Sequence, residues 1–421
     1  MQKRNKILLA IVYILTFVLL ALVAVAYKKS NNDHDGISNP ISPTPVNEDT
    51  ETNKSNGAKQ SNETEGIKTD EESQPTPTVT NDATSDSLKP SPSPIPEAGP
   101  IVLAFAGDVN LDDNSTPVKK YDSENKDISK CLSEDLLKEM IDADIMMLNN
   151  EFAFSLRGTK AANKSFTFRA NPSRVEILKK MGVDIVSLAN NHALDYGQDA
   201  LVDTFATLED AKIDYVGAGM NLDRAKAPIY YTVNGKKIAF VAASRVIFAM
   251  DWYATDDRPG MVGTYDPAII LESIKEAKAN SDYVIVFVHW GIERNNYPEK
   301  YQRTLAINYI DAGADAVIGC HPHVMQGFEF YKGKIIAYSL SNFWFSRASV
   351  ESALLKLHID TDGEIKPQLL PVMAKNNYTY LITDNKEKDA YFDFIKKLSY
   401  NVAIDADGFI TATENTSAKS D

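Results

Sequence analysis

Four of the six histidines in this 421-residue chain stand in short polar stretches that follow apolar runs, together with carboxylates and amides. In order, the stretches are Gly107-Asp108-Val109-Asn110, Asn149-Asn150-Glu151, Ala189-Asn190-Asn191-His192-Ala193-Leu194-Asp195, His289-Trp290-Gly291-Ile292-Glu293 and Gly319-Cys320-His321-Pro322-His323. Imidazole, carboxylate and amide oxygen suit a divalent Mn, Fe or Zn centre better than a structural zinc knuckle. The only nearby sulfur, Cys320, reads as a small buried residue. His321 and His323 project to the same side if their stretch is extended, as two ligands of one centre require. Asp195 follows His192 by three residues and can fix its tautomer, as a carboxylate does for a catalytic histidine.

Each residue also has a structural reading. Asp108 and Asp195 could cap helices, Asn190 and Asn191 could form turns, and His289 could be a hydrogen-bonded core histidine. Those readings do not explain why such residues recur at the ends of five apolar runs, where α/β sheets collect their ligand sites. Glu293 could orient His289 or remain a solvated loop carboxylate. Arg169 and Arg245 could grip an anion. Trp252, Tyr253, Trp290, Phe343, Trp344 and Phe345 could line a cleft or fill the core.

The elements that must position these residues begin at Ile101. Apolar strands are expected near 144–148, 183–188, 238–243, 283–288 and 315–318. They alternate with helices near 132–141, 172–181, 197–210, 266–279 and 299–312, which defines an α/β domain. Val233-Asn234-Gly235-Lys236 and Tyr331-Lys332-Gly333-Lys334 read as hairpin turns, so the sheets should be mixed. Two sheets with outer helices fit this pattern. The domain is expected over 100–375, followed by a partly disordered extension, 376–421, with weaker periodicity.

Upstream, Lys3, Arg4 and Lys6 precede a run from Ile7 to Tyr27 without a charged residue, long enough to span a bilayer. Residues 1–29 therefore read as a transmembrane anchor that leaves the main domain extracellular. Ala24-Val25-Ala26 keeps a cleaved signal peptide open as the alternative. Residues 30–99 are Ser, Thr, Pro, Asn, Asp and Glu with almost no large apolar side chain, a disordered stalk. A net charge of -14 and the lack of a basic stripe exclude a nucleic-acid binder. The two cysteines, Cys131 and Cys320, are read as free thiols.

The order Gly-Asp, Asn-x-Glu, Asn-Asn-His, His-Trp-Gly and His-Pro-His resembles the CapA family of poly-γ-glutamate capsule synthesis proteins, within the calcineurin-like metallophosphoesterase superfamily. Longer matching stretches are Ser187–Gly197, Gly319–Gly327 and Tyr338–Phe343, and the resemblance covers about residues 100–345. It implies a four-layer α-β-β-α sandwich holding two divalent metal ions. Asp108 would serve the first ion, Glu151 would bridge, and Asn191, His289 and His321 would serve the second, with His323 returning to the first. His192 would stabilise or protonate a leaving group. Two features depart from the superfamily: Asn110 stands where a histidine is usual, and the bridging carboxylate is Glu rather than Asp. The resemblance further implies a single-pass protein of the bacterial cell membrane, capsule synthetase or export partners, and an anionic polymer or phosphorylated substrate. An active metal-dependent phosphoesterase at the cell surface is the alternative.

Overall fold

Alternate residues of the first strand, Ile101–Val109, enter different cores. Leu103 and Phe105 face one apolar cluster, whereas Ala104 and Ala106 face another. The period of two in a fully buried strand places a second layer on each side of it. The computed structural model describes residues 99–346 and 348–413. The anchor expected in 1–29, nearly all of the stalk expected in 30–99 and the last residues, 414–421, lie outside them. Among the described residues no helix is long and apolar enough to cross a membrane.

One sheet has the order Tyr378–Leu381, Ile365–Lys375, Val350–Ile359, Ile101–Val109, Ile145–Asn150, Ile185–Ser187 and Asp214–Val216; Asn342–Trp344 also pairs with Ile101–Val109. The other has the order Phe328–Tyr331, Lys334–Ala337, Ala316–Cys320, Tyr283–His289, Lys236–Ser244 and Ile229–Val233. Both are mixed: parallel strands form the centre of each, antiparallel strands close both edges of the second sheet and one edge of the first, and the other edge of the first, Asp214–Val216, is parallel. The two expected hairpins are present, with positive φ at Asn234 and Gly235 and at Lys332 and Gly333, as a two-residue type I′ turn demands.

Three cores account for four layers. Phe105, Met147 and Ile185 of the first sheet meet Phe240, Ile285 and Ile318 of the second. Outside the first sheet, Met146, Leu148 and Val186 pack on Leu136 and Met140 of the helix Glu134–Ile141 and on Leu201 and Phe205 of the helix Gln198–Ala211. Outside the second, Val284, Val286 and Val317 pack on Ile274 of the helix Ala268–Asn280 and on Tyr309 of the helix Lys300–Ala312. The expected α-β-β-α sandwich is the observed fold. Both cysteines are buried and unpaired.

Residues beyond 375, read from sequence as an extension, add an edge strand to the first sheet and then the helix Asn385–Leu398. That helix places Tyr391, Phe392 and Ile395 against the core between the sheets, which its amphipathic sequence requires.

Candidate metal centre

The carboxyl ends of the parallel strands of both sheets open onto one place, and strand alternation decides much of what points there. In Tyr283–His289, Tyr283, Ile285 and Phe287 face the core between the sheets, so His289 two residues on faces the same way. Asn149 follows Ile145 and Met147 by the same rule. Asp108 breaks the rule. Ala104, Ala106 and Val109 share one face, so the parity flips between 106 and 109. The pairing register of this strand shifts between Phe105 and Asp108. This bulge turns Asp108 away from the helices and toward the histidines. Gly107 permits it: a Cβ there would stand 1.9 Å from the Ser341 carbonyl oxygen, which accepts from the Asp108 amide at 2.9 Å.

Asp108, Glu151, His289 and Asn149 are fully buried. Asn149 Nδ2 donates to Asp108 Oδ1 at 2.8 Å and to Glu151 Oε2 at 3.2 Å, while Asn149 Oδ1 accepts from Asn190 Nδ2 at 3.0 Å. Asp108 Oδ2 also accepts from the His321 amide at 3.2 Å and lies 3.3 Å from His323 Nδ1. His289 Nε2 lies 2.7 Å from Asn191 Oδ1. Glu151 Oε1 faces His192, His289 and His323 at 3.7, 4.0 and 3.9 Å. All six residues read as metal ligands, and His192 with Asp195, are thus gathered at one place.

The His321-Pro322-His323 stretch is not extended, contrary to the sequence reading. His321 has φ 98° and His323 φ 57°. Both imidazoles converge through backbone positions that cost energy for residues with a Cβ, and such strain concentrates at functional sites. Asn110, which the resemblance sets in place of a histidine, accepts from the Asp112 amide at 2.9 Å through its Oδ1. This Asx turn commits one of the two lone pairs of the amide oxygen to the backbone.

Beside the cluster, His192 Nδ1 lies 2.6 Å from Asp195 Oδ2, which also accepts from the Phe168 amide. Phe168 packs on the His192 ring, with centroids 4.3 Å apart. Lys164, which the sequence reading missed, donates to Asp195 and to the Asn191 carbonyl, and its Nζ is 3.1 Å from His192 Nδ1. It arrives on a loop without periodicity, so nothing in its surroundings in the sequence marked it. Phe345 packs on His323, whereas Trp290, Phe343 and Trp344 are core. Arg169 stacks on Tyr196 and donates to the Arg157 carbonyl. Glu293 is exposed.

Burial opposes charge on every member. Burial, then the Asp108 charge, pushes Glu151 well above the carboxylate range. Burial opposes ionisation of Asp108 too, yet the hydrogen bond and charge of His323 hold its carboxyl well below that range. Burial lowers His289 well below the imidazole range, and burial with the neighbouring His323 brings His321 down to about 3. His323 moves up: burial is the largest single influence and opposes its charge, but the hydrogen bond and charge of Asp108, with Asn342 and Glu293, together outweigh it. Cys320 Sγ lies 3.2 Å from His289 Nδ1, and burial pushes this thiol well above its usual range, so it stays protonated.

Metal-ligating atoms fall into two groups, Asp108, His289 and Cys320, and Glu151, His321 and His323, each within 4.8 Å. Glu151 Oε1 and His321 Nδ1 are buried without a hydrogen-bond partner. Two orphaned lone-pair donors among carboxylates and neutral imidazoles are what a divalent cation satisfies, so the donor set fits the expected ions.

The bacterial capsule synthesis protein PGA_cap family matches residues 102–347, which enclose the whole cluster. "Capsule biosynthesis protein CapA" of Bacillus anthracis is 35% identical over 243 residues, 56% of this chain and 59% of its own length. "PGA biosynthesis protein CapA" of Bacillus subtilis (strain 168) is 38% identical over 217 residues, 51% of this chain and 57% of its own. The match thus spans less than three fifths of either relative. The solved NAD nucleotidase of Haemophilus influenzae overlays 72% of this chain and 63% of its own at 11% identity and a TM-score of 0.37. From the segment matched, and from the strand ends that segment contains, the chain belongs to the bacterial capsule synthesis protein PGA_cap family.

Proposed function

We propose that this chain acts in the synthesis or export of capsular poly-γ-glutamate or a related surface polymer, and that its cluster holds two divalent ions, Mn, Fe or Zn. One observation carries the reading: the family segment converges on a buried site whose Glu151 Oε1 has no partner. Asp108, Glu151, Asn191, His289, His321 and His323 would hold the ions. Bound there, divalent ions supply positive charge that clamps anionic oxygens and polarises them. The apolar run Ile7–Tyr27 would tether the domain to the bacterial cell membrane with the site outside, near synthetase or export partners.

The chain's own groups do the rest. Asn149 fixes both carboxylates, and Asp195 fixes the His192 ring so that Nε2 faces Glu151 Oε1. His192 can therefore hold or deliver a proton at Nε2. That geometry favours a second reading, a metal-dependent hydrolase acting on a phosphorylated or polymeric surface substrate.

Elemental analysis of the full chain, expressed with added manganese, should find stoichiometric divalent metal, and His321→Ala should lose it. Absence of metal in the wild type would sink the metal reading. Gene deletion should abolish surface glutamate polymer, and the intact gene should restore it. An unchanged polymer level removes the capsule role. Hydrolysis of model phosphodiesters or poly-γ-glutamate by the wild type, lost in His192→Ala, would favour the hydrolase.

A further inference from the structure

Arg245 follows the strand Lys236–Ser244 beside the metal cluster but lines a different cavity. Its backbone amide donates to the His289 carbonyl at 2.8 Å, and its side chain turns to the helix side of the second sheet. There the guanidinium stacks on Tyr265 at 3.9 Å and lies 5.2 Å from the Tyr301 ring. Its Nη1 donates to the Thr264 carbonyl at 3.0 Å. Arg157, Arg174 and Arg303 each pair with a carboxylate, but Arg245 has no such partner among the described residues. The one nearby acid, Glu299, is engaged in capping its helix and accepts from Asn295 at 3.1 Å.

The cavity in front of Arg245 measures about 590 Å³, a volume suited to a small ligand, and Lys300 stands on its wall. A half-buried guanidinium with free donors and no carboxylate partner, with a second cation beside it, points to an anion. The faces of Tyr265 and Tyr301, with Leu305, are apolar. They suit the methylenes next to a carboxylate better than a phosphate clothed in oxygens.

We propose that the Arg245 cavity is a carboxylate-binding subsite that holds a side-chain carboxylate of a γ-linked glutamate polymer while another part of the chain meets the metal cluster. The polymer's identity rests on the function proposed above; the carboxylate site does not. The cavity is tied to the cluster by structure: Tyr301 Oη accepts from the Gly291 amide at 2.8 Å, two residues after His289. A repeating polyanion can then be gripped at two points, which raises its effective concentration at each.

The test titrates glutarate and a γ-linked glutamate hexamer into the purified full chain in detergent, with manganese and after chelation. Wild type, Arg245→Gln and Lys300→Glu are compared; Lys300 is exposed, so its variant carries little folding risk, and melting curves check both. Glutarate should bind the wild type with or without metal and weaken at least about tenfold in Arg245→Gln and about threefold in Lys300→Glu. Metal content should not change. Failure of glutarate to bind, binding that vanishes on chelation, or binding equal in both variants overturns the subsite. If glutarate behaves as expected but the hexamer does not bind, the carboxylate site stands and the polymer assignment fails.

Discussion

Asn149 donates to Asp108 Oδ1 across 2.8 Å at a point where neither residue touches solvent. The same amide nitrogen serves Glu151, and the amide oxygen accepts from Asn190, so one side chain sets the orientation of both carboxylates. Asn149→Ala removes that support and one of the two acceptors of the Asn190 amide, which keeps the Asn150 carbonyl. A loss of about 1–3 kcal/mol in stability is expected, with metal affinity down about 10- to 100-fold. Thermal unfolding and metal titration measure the two effects; wild-type metal affinity in the variant would refute the positioning role.

Metal uptake should release protons. Without metal, burial and Asp108 keep Glu151 protonated, and Asp108 keeps a proton on His323. Both groups have raised folded-state values, so cations compete with protons there, and affinity should climb as pH rises. The climb ends once both groups have lost their protons, above the ordinary carboxylate and imidazole ranges. Calorimetry in two buffers of different ionisation enthalpy reads the protons released. Zero release and a flat affinity between about pH 5.5 and 8 would exclude this account.

Lys164 is a buried cation held by Asp195, and it crosses from an irregular loop to the His192 pair. Burial lowers its ammonium, and the Asp195 charge opposes that effect. Lys164→Met leaves Asp195 with an unbalanced buried charge and should destabilise the fold by about 2–4 kcal/mol, with Lys164→Arg partly restoring it. Nitrogen NMR of His192 should show an altered Nδ1 environment in the Met variant. An unchanged His192 spectrum and unchanged stability would both count against the bridge.

The residues after 375 should be needed for folding. Tyr391, Phe392, Ile395 and Leu398 are buried, and Thr379 Oγ1 donates to the Phe343 carbonyl at 2.6 Å. At about 1.5–3 kcal/mol for each large apolar side chain, their loss rivals the whole stability of a typical domain. A chain ending at Lys375 should lack a cooperative unfolding transition, whereas one ending at Thr413 should keep the wild-type transition. Circular dichroism against temperature distinguishes them.

Much of the site was legible because strands obey a period of two. The alternation in Tyr283–His289 directs His289 between the sheets without any knowledge of the partner sheet, and the turn residues Asn234-Gly235 and Lys332-Gly333 announce their hairpins. Polar residues at the ends of apolar runs then mark where ligands gather. The family order of motifs rests on the same residues.

What sequence could not give were places where the backbone departs from its period. The bulge before Asp108 reverses the facing of a carboxylate, and it exists because Gly107 lets the Ser341 carbonyl approach. The left-handed conformations of His321 and His323 are imposed by the surrounding loops, since an isolated histidine does not favour them. Lys164 reaches Asp195 from 31 residues away, and Arg245 turns from the cluster to a separate cavity. Local periodicity fixes which residue types stand at the strand ends; long-range packing alone decides their direction and their partners.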